Sequence, residues 1–182
     1  MAQTAVFLAE GFEEIEALTV VDLLRRARIG CGTVSVGPDR MVTGSHKITV
    51  TADLLFDQVD FDALDMIILP GGAPGTENLR NFKPLTDRVT EFDAAGRYIS
   101  AICAAPTIFG QLGLLKGKKA CCYPGLEDKL EGADVSMDSV CVDGHITTSR
   151  GMGTAIDFAL AIIERFQGTQ AAEDMALRVV YG

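Results

Sequence analysis

Histidine is almost missing from this chain. Only His46 and His145 occur in 182 residues. One precedes a short extra strand and the other lies in a hairpin-like segment, so each is expected to be a solvated surface residue rather than a catalytic base. Cysteine motifs are missing too: the five cysteines are an odd number, Cys121 and Cys122 are adjacent, and no C-x-x-C pair occurs. That argues against a disulfide framework or a cysteine zinc site and leaves free thiols in a reducing compartment.

Other absences narrow the class further. No run of about eighteen apolar residues is present, and the N-terminus carries neither a basic n-region nor a long apolar h-region. A cytoplasmic protein with no membrane partner is expected. Positive charge is scarce, with 16 Lys and Arg against 25 Asp and Glu and a formal charge of -9. Scattered acidic residues repel a phosphate backbone, so no nucleic-acid partner is expected. Lys116, Lys118 and Lys119 form a small basic cluster, in the setting of a solvated turn before a strand. There is no G-K-[ST] phosphate loop, no G-x-G-x-x-G fingerprint, no flavin motif and no metal-ligand spacing, so neither a metal nor another cofactor is expected. No low-complexity or Pro- and Ser-rich linker interrupts the chain, and residues 1–182 are expected to form one domain.

What is present is an alternation of strands and helices. Short apolar runs at residues 4–9, 33–36 and 66–69, each bounded by Gly, Pro or acidic residues, predict buried strands. A β-favouring run at 98–102 ends at Cys103. Helical periodicity predicts helices over 13–28, 84–95, 104–115 and 153–166. Residues 47–52 predict an extra strand, and 140–142 with 145–148 a hairpin joined through Asp143-Gly144. Such alternation implies right-handed crossovers and an α/β three-layer sandwich with a mostly parallel sheet, mixed at one edge.

In such a sheet, ligands collect outside the carboxyl ends of the strands. Three features fall there. Cys103 sits at a strand-to-helix corner among Ala101, Ala104 and Ala105, with Pro106 placed for the first helical turn. It is either a nucleophile whose thiolate the helix terminus favours, or a buried cysteine closing a strand. Glu16 lies one turn before Val20, at the edge of the stripe formed by Ala17, Val20, Val21 and Leu24. A carboxyl there should have a raised pKa and act as a neutral hydrogen-bond donor, unless it is an ordinary core carboxyl. Glu13 and Glu14 read as compensation of the helix dipole. The stretch Leu69-Pro70-Gly71-Gly72-Ala73-Pro74-Gly75 offers amides to a developing oxyanion, or merely close backbone packing.

Four separated segments, "AEGFEEIEAL" at 9–18, "DMIILPGGAPGTENL" at 65–79, "AICAAP" at 101–106 and "TTSRGMGTAIDFALAII" at 147–163, occur together in this order. They resemble the ThiJ/PfpI superfamily, and more closely its branch of Parkinsonism-associated (DJ-one), deglycase-like proteins. The resemblance implies a flavodoxin-like sandwich, a homodimer and a reactive cysteine at a nucleophile elbow. It matches Cys103 to that cysteine, Glu16 to the protonated glutamate beside it, and Gly72 and Ala104 to the neighbouring amides. Arg150 and Gly151 match the loop entering the following helix, with Gly71 and Tyr123 adjacent. It implies glyoxalase or deglycase chemistry on α-oxoaldehydes, oxidation of the cysteine to a sulfinate, or chaperone action, and an older label of thiazole monophosphate biosynthesis. The partners would be a small aldehyde or an oxidant, and a second copy of the chain meeting through Asp22, Arg25, Arg26 and Ile48. Read without the resemblance, residues 22–26 are a charged, solvated helix face with i, i+4 pairing.

The chain also departs from the pattern. Protease-like relatives carry a histidine directly after the cysteine, where this chain has Ala104, so peptidase chemistry is disfavoured. Close relatives often carry His-Pro where this chain has Tyr123-Pro124. The expected chemistry therefore rests on a low-pKa Cys103 and a protonated Glu16, as a turnover enzyme or as a redox sensor.

Overall fold

Alternation of apolar β-branched runs with amphipathic stretches puts strands and helices in turn along the chain, and the computed structural model describes residues 3–182. The elements are β1 (Gln3–Leu8), α1 (Glu14–Arg26), β2 (Gly30–Ser35), β3 (Met41–Thr43), β4 (Thr49–Thr51), β5 (Leu54–Leu55), β6 (Met66–Leu69), α2 (Ala73–Asn81) and α3 (Lys83–Ala94). They continue with β7 (Tyr98–Ile102), α4 (Pro106–Gln111), β8 (Lys119–Ala120), β9 (Asp134–Val135), β10 (Val140–Asp143), β11 (Ile146–Ser149), α5 (Ala155–Gln167) and α6 (Thr169–Arg178).

The main sheet has seven strands in the order β10-β11-β7-β6-β1-β2-β5. Every pairing is parallel except β10 with β11 at the edge. Side chains alternate across it with the strand period of two. Ala5, Phe7, Ile67, Leu69 and Ile99 face one layer with Val89 and Phe92 of α3 and Ile108 and Phe109 of α4. Val6, Leu8, Met66, Ile68 and Ile102 face the other, with Val20 and Leu24 of α1, Phe158 and Ile162 of α5 and Ala172 of α6. Because helices cover both faces, the central strands are buried on both sides, with polar Thr4 and Ser100 among their apolar residues. No helix among the described residues is long and apolar enough to cross a membrane.

Several boundaries differ from the periodicity. The helix expected over 104–115 shortens to α4, because Cys103 is in the left-handed region at φ 67° and Gly113 at φ 74° closes the other end. The glycine-rich segment after β6 enters α2 directly at Ala73, with Pro74 in its first turn. The extra strand expected over 47–52 is β4, paired antiparallel with β3 in a hairpin outside the main sheet. That hairpin folds back over the end of β1: Gly11 N–H donates to Thr43 O at 2.8 Å and Ser45 N–H to Phe12 O at 2.8 Å. The hairpin of β10 and β11 turns through Gly144-His145, with Gly144 at φ 59°. His145 Nε2 lies 2.7 Å from Asp93 Oδ1, which ties that turn to α3.

Phe109 is fully buried between the sheet and α4. Phe109→Ala is expected to lower the unfolding free energy by about 3–5 kcal/mol, with the denaturant slope unchanged in urea titrations followed by far-UV circular dichroism.

Candidate active site

From β1 the chain runs outward to β2 and β5 on one side and, after returning, to β6, β7 and β11 on the other. The crevice at this reversal lies beyond the carboxyl ends of β1 and β6, with β7 next to β6. The loops that follow these three strands supply the site.

The loop after β7 has three residues and opens on Cys103. Its φ of 67° is a strained conformation for a residue with a β-carbon. Both of its peptide groups are tied down: its N–H donates to Ser149 O at 3.0 Å, and its carbonyl accepts from Tyr123 N–H at 2.8 Å. The sulfur is thereby turned out of the strand toward the loops after β1 and β6. Pro106 then opens α4 at a position needing no amide proton.

Glu16 comes to this point from the first turn of α1. Its side chain is buried at 1% exposure, and its Oε2 accepts from Gly71 N–H at 2.9 Å. A β-carbon at Gly71 would lie 2.5 Å from that oxygen and 2.6 Å from Cys103 Cβ, so only glycine lets the three chain segments meet. Burial pushes the Glu16 pKa up to about 7, against the hydrogen bonds from Cys103 and Gly71 and with a smaller upward contribution from the charge of Glu13.

The thiol does not follow the expectation of a low pKa. Burial pushes Cys103 up, the charge and hydrogen bond of Glu16 push it further, to about 12, and the N–H groups of Ala104 and Gly72 lower it only in part. A helix of six residues supplies too little opposing dipole. Cys103 and Glu16 therefore titrate as a pair that keeps one proton between about pH 7 and about 12. The nucleophilic arrangement is the one with the proton on Glu16 and the charge on sulfur, facing two backbone N–H groups.

The pair opens into a pocket of about 460 Å³ whose lining includes Gly72, Ala104, Tyr123, Leu126 and Met152, with Glu13 and His46 also on its wall. The structure thus brings Gly71, Gly72, Ala104 and Tyr123 to Cys103 and Glu16. Gly151 adjoins them, since a β-carbon there would lie 3.5 Å from Tyr123 and 4.0 Å from Glu16 Oε1. Arg150 is not on the pocket wall, and its guanidinium lies 3.4 Å from Met137 O.

His46 is a surface residue, as the sequence implied, and its position adds to that expectation. It is exposed, but on the pocket wall, with Nδ1 3.1 Å from Glu14 Oε2. Glu14 is likewise more than a dipole neutraliser. It is buried, accepts from the backbone N–H groups of His46 at 2.8 Å and Ile48 at 3.4 Å, and burial that would raise its pKa is outweighed by those donors, which hold it at about 2. Glu13, Glu14 and His46 each place a ligand atom within 4.8 Å of the others, the spacing of a metal-binding group. The separation of 32 positions between Glu14 and His46 hid this cluster in the sequence. Leu126 and Met152, isolated apolar residues in loops, gave no signal either.

The other cysteines, Cys31, Cys121, Cys122 and Cys141, are buried, whereas Cys103 is partly accessible. Burial pushes Cys121 up to about 12 and Cys122 to about 11. Of the residues expected at a dimer contact, Arg26 pairs with Asp22 at 2.6 Å and Arg25 with Asp53 at 2.5 Å, all half exposed, and Ile48 is 54% exposed.

The sequence profile of the DJ-1/PfpI family matches residues 2–165. Protein DJ-1 homolog B of Arabidopsis thaliana is 40% identical over 93% of this chain, which spans only 39% of that longer protein. A protein named deglycase from Pyrococcus abyssi is 35% identical over 62% of this chain and 69% of its own length. The solved structure of oxidized DJ-1 from Toxoplasma gondii superposes with a TM-score of 0.96 at 36% identity, covering 100% of both chains.

The raised pKa of Glu16 gives a stability contribution that is complete below the ordinary carboxyl pKa and is lost as pH rises through about 7. Glu16→Gln, neutral at every pH, removes that loss. Between pH 4 and pH 8 the wild type is therefore expected to lose roughly 3 kcal/mol relative to the variant, measured by urea unfolding at each pH.

Proposed function

The chain belongs to the DJ-1/PfpI family, and from that membership and its pocket we propose that it is a cytoplasmic, cysteine-dependent stress protein that converts reactive α-oxoaldehydes to hydroxy acids, working without a cofactor. The observation that carries this reading is the contact of Cys103 with the buried Glu16 carboxyl at the base of an accessible pocket. The name of the Pyrococcus relative, deglycase, supports the same carbonyl chemistry.

With methylglyoxal, the Cys103 thiolate forms a bond to the aldehyde carbon while the Glu16 carboxyl gives its proton to the aldehyde oxygen, producing a hemithioacetal. Developing negative charge on sulfur or oxygen faces the N–H groups of Gly72 and Ala104. Glu16, now ionised, removes the hydrogen on that carbon as a proton, and the electron pair moves onto the neighbouring ketone as an enediolate forms. Glu16 returns the proton to the former ketone carbon while the hemithioacetal hydroxyl proton passes to the former ketone oxygen, leaving a lactoyl thioester. Water then cleaves the sulfur–carbon bond, releasing lactate and returning the thiol. One carbon is oxidised and its neighbour reduced within the substrate, so no external oxidant or reductant enters.

A second reading, redox sensing, is favoured by the accessibility of Cys103 where the other four thiols are buried. Peroxide would oxidise the same thiolate to a sulfenate and then a sulfinate, which the Glu16 carboxyl can hydrogen-bond. As a homodimer, the protein would cover Ile15, Leu18 and Ile48, which are 50%, 37% and 54% exposed on and beside α1, together with Asp22, Arg25 and Arg26.

Cys103→Ala is expected to abolish lactate formation from methylglyoxal, and Glu16→Gln to reduce kcat by about 10²–10⁴, measured by an enzymatic lactate assay; full activity in Cys103→Ala would sink the mechanism. Under mild peroxide, peptide mass spectrometry is expected to find Cys103 oxidised before Cys31, Cys121, Cys122 and Cys141. Uniform oxidation of the five would contradict the redox reading. Light scattering is expected to give a dimer at micromolar concentration, and a monomer mass would exclude it.

A further inference from the structure

We infer that Glu14 and His46 form a second proton-transfer dyad in the Cys103 pocket, with His46 Nε2 acting on the substrate or on the water that releases the product. The inference rests on the carbonyl chemistry proposed above. That chemistry needs a proton for the first addition, a base for the C–H step and a base for the hydrolytic water, and Glu16, in contact with Cys103 and Gly71, is the carboxyl placed for the first two.

The titratable groups on the pocket wall are Glu13, Glu16, His46, Cys103 and Tyr123. Of these side-chain types, an imidazole is the one suited both to take and to give a proton near neutral pH. The surroundings of His46 are built around its Nδ1. That nitrogen lies 3.1 Å from Glu14 Oε2, 3.5 Å from Glu13 Oε2 and 3.0 Å from Ser45 Oγ. Glu14 is ionised and buried, so it can only accept, and the ring must present Nδ1–H to it. The neutral ring then carries its lone pair on Nε2. This is the relation in which a carboxylate orients a histidine for general-base work.

The loop is shaped to let the carboxylate in. A β-carbon at Gly44 would lie 2.3 Å from Glu14 Oε1, so a side chain there would expel Glu14 from the turn. The plainer role for Glu14 is to tie residues 46–48 to α1 through their backbone N–H groups. Those donors persist when the His46 side chain is removed, which separates the two roles. Lys47, next to His46, is exposed to solvent.

The test is turnover of methylglyoxal by the full chain and its His46→Ala and His46→Gln variants, in the presence of a chelator, with iodoacetamide labelling of Cys103 measured in parallel. Both variants are expected to lose about 10²-fold in kcat with KM changed less than about threefold. Cys103 labelling is expected to stay at the wild-type rate, and added imidazole to restore part of kcat in His46→Ala alone. A kcat within about threefold of the wild type overturns the dyad, as does labelling that falls in step with kcat, or a lost kcat that imidazole does not restore. Collapse of wild-type activity in chelator also overturns it, in favour of a metal ion held by Glu13, Glu14 and His46. Each of these leaves the Cys103 reading standing, whereas a wild type that produces no lactate, or a Cys103→Ala variant that still does, removes that reading and the dyad together.

Discussion

The contact of a buried carboxyl with a thiol across a glycine is the constraint on which the site depends. Glu16 loses water on entering the protein and gains Gly71 N–H and Cys103 as partners. Neither the acid nor the thiol can ionise there as freely as in water, so one proton is kept between them over the neutral and alkaline range. A cysteine freely ionised at neutral pH would be open to any electrophile. Sharing a proton with Glu16 instead makes the nucleophile a minor arrangement that a bound electrophile draws on, which leaves the resting thiol protected from indiscriminate attack.

The fold supplies this contact by bringing three loops to one crevice. Hydrogen bonds across them fix their relative positions: Glu13 N–H to Gly71 O at 3.0 Å, Gly75 N–H to Gly11 O at 3.0 Å, and Cys103 N–H to Ser149 O at 3.0 Å. Each joins segments far apart in sequence. The strained φ of Cys103 persists because the parallel neighbour β11 and the segment at Tyr123 hold its peptide groups on both sides. The small hairpin of β3 and β4 is part of the same assembly, since its turn carries His46 and receives the carboxylate of Glu14.

The structure brings Cys103, Glu16, Gly71 and Gly72 together at the base of one pocket. Ala104 and Tyr123 line that pocket, and a histidine from a different loop, seated on a carboxylate, joins them. Its wall combines apolar Leu126 and Met152 with the acidic Glu13. An anion entering the pocket would face carboxylates at close range.

Much of this was legible in the residues themselves. Apolar runs of strand length between amphipathic stretches determine a parallel sheet covered on both faces, because the burial of each residue follows from its own periodicity. The corner at Cys103, the stripe edge at Glu16 and the glycines at 71 and 72 could be found the same way, each being a local departure from its element's pattern. Element ends were less legible where a left-handed residue decided them, as at α4, or where a glycine-rich stretch turned into a helix, as at α2. What only the tertiary structure decided was the ionisation of Cys103 and the place of His46. A thiol's pKa depends on how deeply it is desolvated and on which charges surround it, and Glu16 is 87 positions away in the chain. His46 meets Glu14 because a hairpin outside the main sheet folds back on the end of β1, and no spacing along the sequence records that approach.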